Sequence, residues 1–247
     1  MTPRALRLAF DLDGVVADMD RELARLAEEM FSAAAGGPTA SQDDGEESGE
    51  QEEQQDGEEE VRAPIPPRLS LTPWQQNRLW RRVRSVENFW ETLDEVEAGV
   101  LRRMATMATE HRWETIFLTS RPRTLGATTQ VQSQRWLESK GFDRPSVFVV
   151  TGSRGLIAAA LNLDVVIDDR MENCMDVVAD SKARAVLVQR DPAKPGAVGA
   201  QRFGIDVVAS VAEYLDVLAH LGSAASNKPR TIDRVMRLLG LKEPGLD

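Results

Sequence analysis

Apolar and polar residues follow two periods along the chain. Short apolar runs ending in polar residues lie near 5–10, 114–118, 146–150, 164–168, 184–188 and 205–208, and read as strands. Between them apolar residues recur at helical spacing; Leu23, Leu26, Ala27, Met30 and Phe31 make one such face. Helices are expected near 19–35, 73–87, 93–112, 126–140, 154–162, 171–180 and 211–221. Thr72-Pro73-x-Gln75, Thr92-x-x-Glu95 and Ser210-x-x-Glu213 fit capping boxes at three helix starts. Strands alternating with helices predict an α/β protein with a parallel sheet and helices on both faces.

The alternation breaks once. About 100 residues separate Gly14 from Thr115, with helical patterning and no convincing strand. Within that gap, Gly36 to Pro67 is rich in Gly, Glu, Gln, Asp and Pro and almost free of apolar residues. Such a stretch cannot bury enough surface to offset its ordering entropy, so it is expected to be disordered. It reads first as a tolerated loop insertion, with a docking site for a basic partner or a flap as the alternatives. Residues 41–60 carry eleven Asp and Glu and no Lys or Arg. Setting those eleven aside, the net charge of −10 becomes +1 for the rest of the chain. The acidity therefore belongs to one segment, and no broad basic face argues for nucleic acid.

The chemistry gathers at three strand ends. Leu6 to Phe10 leads into Asp11-Leu12-Asp13-Gly14. Thr115 to Leu118 leads into Thr119-Ser120-Arg121-Pro122, and Val165 to Ile167 into Asp168-Asp169-Arg170. In a parallel sheet the carboxyl ends of the strands are where ligands bind. Four carboxylates there, with hydroxyls beside them, would suit a hard cation such as Mg²⁺ and a phosphate. A calcium-type loop or a plain turn is the blander reading of Asp11-x-Asp13-Gly14 taken alone.

Together the three segments resemble the haloacid dehalogenase-like (HAD) phosphohydrolase superfamily. Asp11 and Asp13 match its first motif, Thr119 its second, and Asp168 with Asp169 its fourth. The third motif is usually a Lys; here Ser153-Arg154-Gly155 puts Arg154 at that place. Arg keeps the charge but is not a neutral replacement at a tight site. The resemblance spans roughly residues 4–20 and 88–215. Asp18, Asn88-Phe89-Trp90, the Thr-x-Arg-Pro form and the Ile-Asp-Asp-Arg-x-Glu-Asn run also look like the 5′-nucleotidase type C branch.

The resemblance implies a Rossmann-like, HAD-like core at 1–18 and 93–222. It implies a small helical cap at 19–92, inserted after the first strand and containing the acidic insertion, about 36–67. A tail at 223–247 would carry a short helix. It also implies a Mg²⁺-dependent phosphatase acting through an aspartyl-phosphate, with nucleoside 5′-monophosphates as the first substrate expectation and other small phosphorylated metabolites open. Asp11 would be the nucleophile and Asp13 the acid and base. Asp11, Asp13, Asp168 and Asp169 would serve the metal, and Thr119, Ser120, Arg121 and Arg154 the phosphate. A HAD-fold binding or regulatory protein with little turnover, motivated by Arg154 and the acidic insertion, is the alternative, as is a phosphotransferase.

Other residues carry weaker expectations. Arg123 reads as a solvated loop residue. Asp18 reads as the cap of the first helix more than a pocket residue. Asn173 and Asp176 read as helix-surface or helix-cap residues at least as well as members of a metal's outer shell. Trp74, Trp80, Phe89 and Trp90 concentrate aromatic rings in the cap, as core packing first and base stacking second. His111 and His220 have no Cys or His company and receive no role. The single cysteine, Cys174, excludes an intrachain disulfide and reads as a small buried residue. No apolar run reaches transmembrane length and Met1–Arg7 leads directly into a strand, so a cytoplasmic chain without membrane contact is expected.

Overall fold

The computed structural model describes residues 5–31, 70–190 and 197–227. The acidic insertion and the helix expected in the tail lie outside them. Six strands form one all-parallel sheet: β1 (Arg7–Asp11), β2 (Glu114–Thr119), β3 (Ser146–Val149), β4 (Val165–Asp168), β5 (Arg184–Val188) and β6 (Asp206–Val208). Their order is β3-β2-β1-β4-β5-β6. The chain moves outward from β1 through β2 to β3, then returns to place β4 on the other side of β1. The carboxyl ends of β1 and β4 therefore flank the topological switch point, where open α/β sheets bind ligands.

Side chains of successive strand residues enter two separate cores, as a two-residue period requires. Leu8, Phe10, Phe117, Val165, Ile167, Val186 and Val188 belong to one. Ala9, Ile116, Leu118, Val166, Ala185 and Leu187 belong to the other. The first core is covered by α1 (Met19–Phe31), α2 (Pro73–Arg84), α3 (Val100–His111), α4 (Thr129–Ser139) and α8 (Val211–Asn227). The second is covered by α5 (Arg154–Ala160), α6 (Met171–Asp180) and α7 (Ala197–Arg202). Among the described residues no helix is long and apolar enough to cross a membrane.

Local signals explain most boundaries. Asp18 accepts the Arg21 N–H and starts α1. Thr72 and Gln75 form the expected capping box, with Pro73 in the first turn of α2. Two expectations are corrected. Residues 93–99 are not helical: Glu95 reaches forward to the N–H groups of Gly99 and Leu101 instead of back to Thr92, and α3 begins at Val100. At α8, Ser210 accepts the Glu213 N–H as expected, but Glu213 bonds Ala209 N–H rather than that of Ser210. A 3₁₀ turn at Phe89–Glu91 and helix α7 were not anticipated.

Candidate active site

Asp11 is the last residue of β1, Thr119 the last of β2 and Asp168 the last of β4, and all three are buried. β1 is hydrogen-bonded to both β2 and β4, so these three ends lie side by side. After Asp11 the chain turns sharply. Leu12 N–H donates to Leu118 O, Gly14 N–H to Ala17 O, and Val16 and Ala17 N–H to Leu12 O. Gly14 adopts φ +80°, a conformation that disfavours any side chain.

Arg154 opens α5 and is 4% exposed. Its Nη2 donates to Asp11 Oδ1 at 2.9 Å, and its Nε lies 3.8 Å from Asp168 Oδ2. That Nε is buried and has no hydrogen-bond partner among the described residues. A buried guanidinium N–H left without an acceptor is costly unless a ligand or water supplies one. Gly155 sets the approach of this helix: a Cβ there would lie 2.0 Å from the Asp176 carbonyl oxygen of α6.

Asp13 is held differently. Arg121, its side chain wholly buried, donates from Nε to both Asp13 oxygens at 2.9 Å and from Nη2 to Oδ1 at 2.7 Å. Its Nη1 donates to Ser133 Oγ at 3.0 Å. The guanidinium carbon lies 4.9 Å from the Trp90 ring and 5.8 Å from the Trp136 ring. Both rings are anchored, Trp90 by its N–H to Pro122 O and Trp136 by its N–H to Leu93 O. Thr119 Oγ1 completes the set at 3.3 Å from Asp13 Oδ2. Ser133 and Trp136 carry no motif signal; only their helical spacing on α4 places them together.

Asp168 accepts Arg170 N–H at 2.9 Å and the Asn173 amide at 2.9 and 3.1 Å. Asn173 thus orients this carboxylate directly. Burial, then the charge of Asp169, pushes Asp168 up to about 7, against Arg154 and these hydrogen bonds. Burial and the charge of Asp168 raise Asp11 well above the usual carboxylate range, opposed by Arg154. Asp169 is pushed up to about 7 by loss of hydration first and by Asp11 next. Its outer side is open to solvent, which screens it, so Asp11 and Asp168 dominate the response to pH.

Buried carboxylates that repel one another invite a proton or a cation. Among the described residues, no three His, Cys, Asp or Glu side chains stand ready as a metal-ligand group. Mg²⁺ needs less, because one or two carboxylates, waters and substrate oxygens complete its octahedron. The all-oxygen chemistry of Asp11 and Asp168 fits that requirement.

Several of the remaining residues serve packing. Ser120 is half-buried after Thr119, and Arg123 is exposed. Trp80, Phe89 and Trp90 are buried core, which removes them as stacking surfaces for a base; Trp74 is exposed, with Arg78 over its ring. His111 stacks on Trp113, and His220 contacts Asp216 O. Cys174 is buried and its thiol is pushed up by burial.

No protein-family model matches the chain, and no curated protein sequence does. Solved structures do match. A HAD family hydrolase from Deinococcus radiodurans R1, with bound phosphate and sodium, shares 17% identity at a TM-score of 0.51, over 88% of this chain and 96% of its own. A Thermotoga maritima protein assigned as a beta-phosphoglucomutase shares 17% at 0.50, over 87% of this chain and 99% of its own. The fold is the HAD-like one. In that HAD-like sheet, the ends of β1, β2 and β4 carry the residues that the sequence motifs single out.

Proposed function

We propose that the protein is a phosphomonoester hydrolase working through Asp11, with Mg²⁺ as its cofactor and nucleoside 5′-monophosphates as the first substrates to test. The observation that carries this reading is the convergence of Asp11, Asp168 and the buried, under-bonded Arg154 at the switch point. An Asp11 oxygen attacks phosphorus, and the bond to the leaving oxygen breaks. That oxygen takes a proton from Asp13. Water then returns a proton to Asp13 and attacks phosphorus, breaking the bond to Asp11. Thr119 and Arg154 bind the non-bridging oxygens, with Ser120 beside them. Arg121 serves the phosphate by fixing Asp13. Asp11, Asp168, the Asp13 carbonyl and Asp169 would hold Mg²⁺, which when bound screens the repulsion between carboxylate and phosphate. We assign α1 and α2 to a cap beside this site, within 19–92.

A specific observation favours a second reading, a phosphate-binding protein with little turnover. Both Asp13 oxygens already accept hydrogen bonds from Arg121, which restrains the residue that must exchange protons. Phosphate release from a panel of nucleoside monophosphates and sugar phosphates, with and without Mg²⁺, separates the two. Release lost in Asp11→Asn supports the hydrolase. Phosphate binding without release from any substrate supports the binder.

A further inference from the structure

We propose that Arg190 is a positioning residue that straps the Asp11–Ala17 loop to the rest of the site, with Glu97 as its anchor. Arg190 follows β5 on the same sheet edge as Asp11 and Asp168. Its Nη1 donates to the Gly14 carbonyl and its Nη2 to the Val15 carbonyl at 2.8 Å. One guanidinium fork thus binds two successive carbonyls, a geometry Lys cannot reproduce. Because Gly14 and Val15 immediately follow Asp13, holding their carbonyls sets where the turn leaves Asp13 and how closely Gly14 meets Asp169.

The strap is itself held. Glu97 Oε1 lies 3.8 Å from Arg190 Nη2. The two Glu97 oxygens also accept the Val211 and Ala212 N–H groups at 2.9 and 3.0 Å, at the start of α8. One residue earlier, Val96 N–H donates to Val16 O at 2.9 Å, which ties the same segment to the site loop. Residues 96–97 and the end of β5 therefore meet at this loop, and Glu97 links them to the start of α8. The Arg190 side chain is 33% exposed, too open for burial alone to explain its conformation; the two carbonyls and Glu97 do. Its charge also opposes the rise of the Asp169 carboxyl.

The catalytic consequence rests on the hydrolase reading above, but the strap does not. Hydrogen exchange of the full chain reads the strap directly, through the Gly14, Val16 and Ala17 amides that close the turn. In Arg190→Met, exchange over Leu12–Ala17 should quicken about tenfold or more while β2 and α4 stay unchanged. Phosphate release should fall about tenfold or more in kcat, with KM within about twofold, because a displaced Asp13 harms the chemical step more than binding. Arg190→Lys, which keeps the charge and disturbs folding least, should recover only part of both. Unchanged exchange over Leu12–Ala17 in Arg190→Met overturns the strap, as does full recovery by Lys. Faster loop exchange with unchanged kcat overturns its catalytic role. A parent protein that binds phosphate but releases none sinks the hydrolase reading, while the exchange result still decides the strap.

Discussion

The carboxylate of Asp169 fills the space that a side chain at Gly14 would need. A Cβ at position 14 would lie 2.2 Å from Asp169 Oδ2. Gly14 also sits at φ +80°, so Gly14→Ala meets both a clash and backbone strain. Strain of that kind costs about 1–3 kcal/mol. Chemical denaturation of Gly14→Ala should show a loss in that range, with turnover reduced by more than the stability loss explains. Turnover equal to that of the parent would mean that Asp169 moves aside without consequence.

The Arg121–Asp13 pair should prove strongly coupled to the fold. Removing one partner of a buried ion pair costs about 3–5 kcal/mol, because the other charge is stranded. Arg121→Ala is expected to lose that much in urea unfolding. The double change Arg121→Ala with Asp13→Ala should lose less than the two single losses added together. Strict additivity would contradict the pairing.

Without a divalent cation, the pair Asp11 and Asp168 should make the protein less stable as pH rises. Both carboxyls lie above their ordinary value of 3.8 in the fold, Asp168 at about 7. Between those values the folded state holds more protons than the unfolded chain, so rising pH favours unfolding. Thermal melts in chelator should therefore fall from pH 5 to pH 8, with a shallower fall in Asp168→Asn. Mg²⁺ at pH 8 should restore stability in the parent. A fall equally steep in Asp168→Asn would show that other groups control it.

Arg154 tests phosphate recognition. Arg154→Ala removes the cation nearest Asp11 and should weaken inhibition by inorganic phosphate about tenfold or more. Arg154→Lys keeps the charge and gives up the fork. A large rise in turnover would mark the parent as a slowed hydrolase, and no turnover in either form would favour the binder.

Much of the sheet was legible because each strand is an apolar run closed by Asp, Thr or another polar residue. The three motif ends were legible for the same reason, and β1 pairing with both β2 and β4 brings them together. The start of α3 was not, because Thr92-x-x-Glu95 imitates a capping box while Gly99, at φ +79°, governs where the helix begins. Helix α7 is one short turn and a half, with glycine inside and little pattern to read. The partner of Asp13 was hidden by distance: 108 positions separate it from Arg121, and the walls around Arg121 come from two further segments. Arg190 carries a faint signal in the sequence, a basic residue just beyond an apolar strand on the site's own edge.

The most direct measurement is to trap the covalent intermediate. The protein would be mixed with Mg²⁺ and its best substrate, quenched in acid, and the peptide containing Asp11 examined by mass spectrometry. The account predicts a phosphoryl group on Asp11 in the parent and none in Asp11→Asn. Phosphate release at full rate with Asp11 never modified, or with the phosphoryl group on another residue, would contradict it.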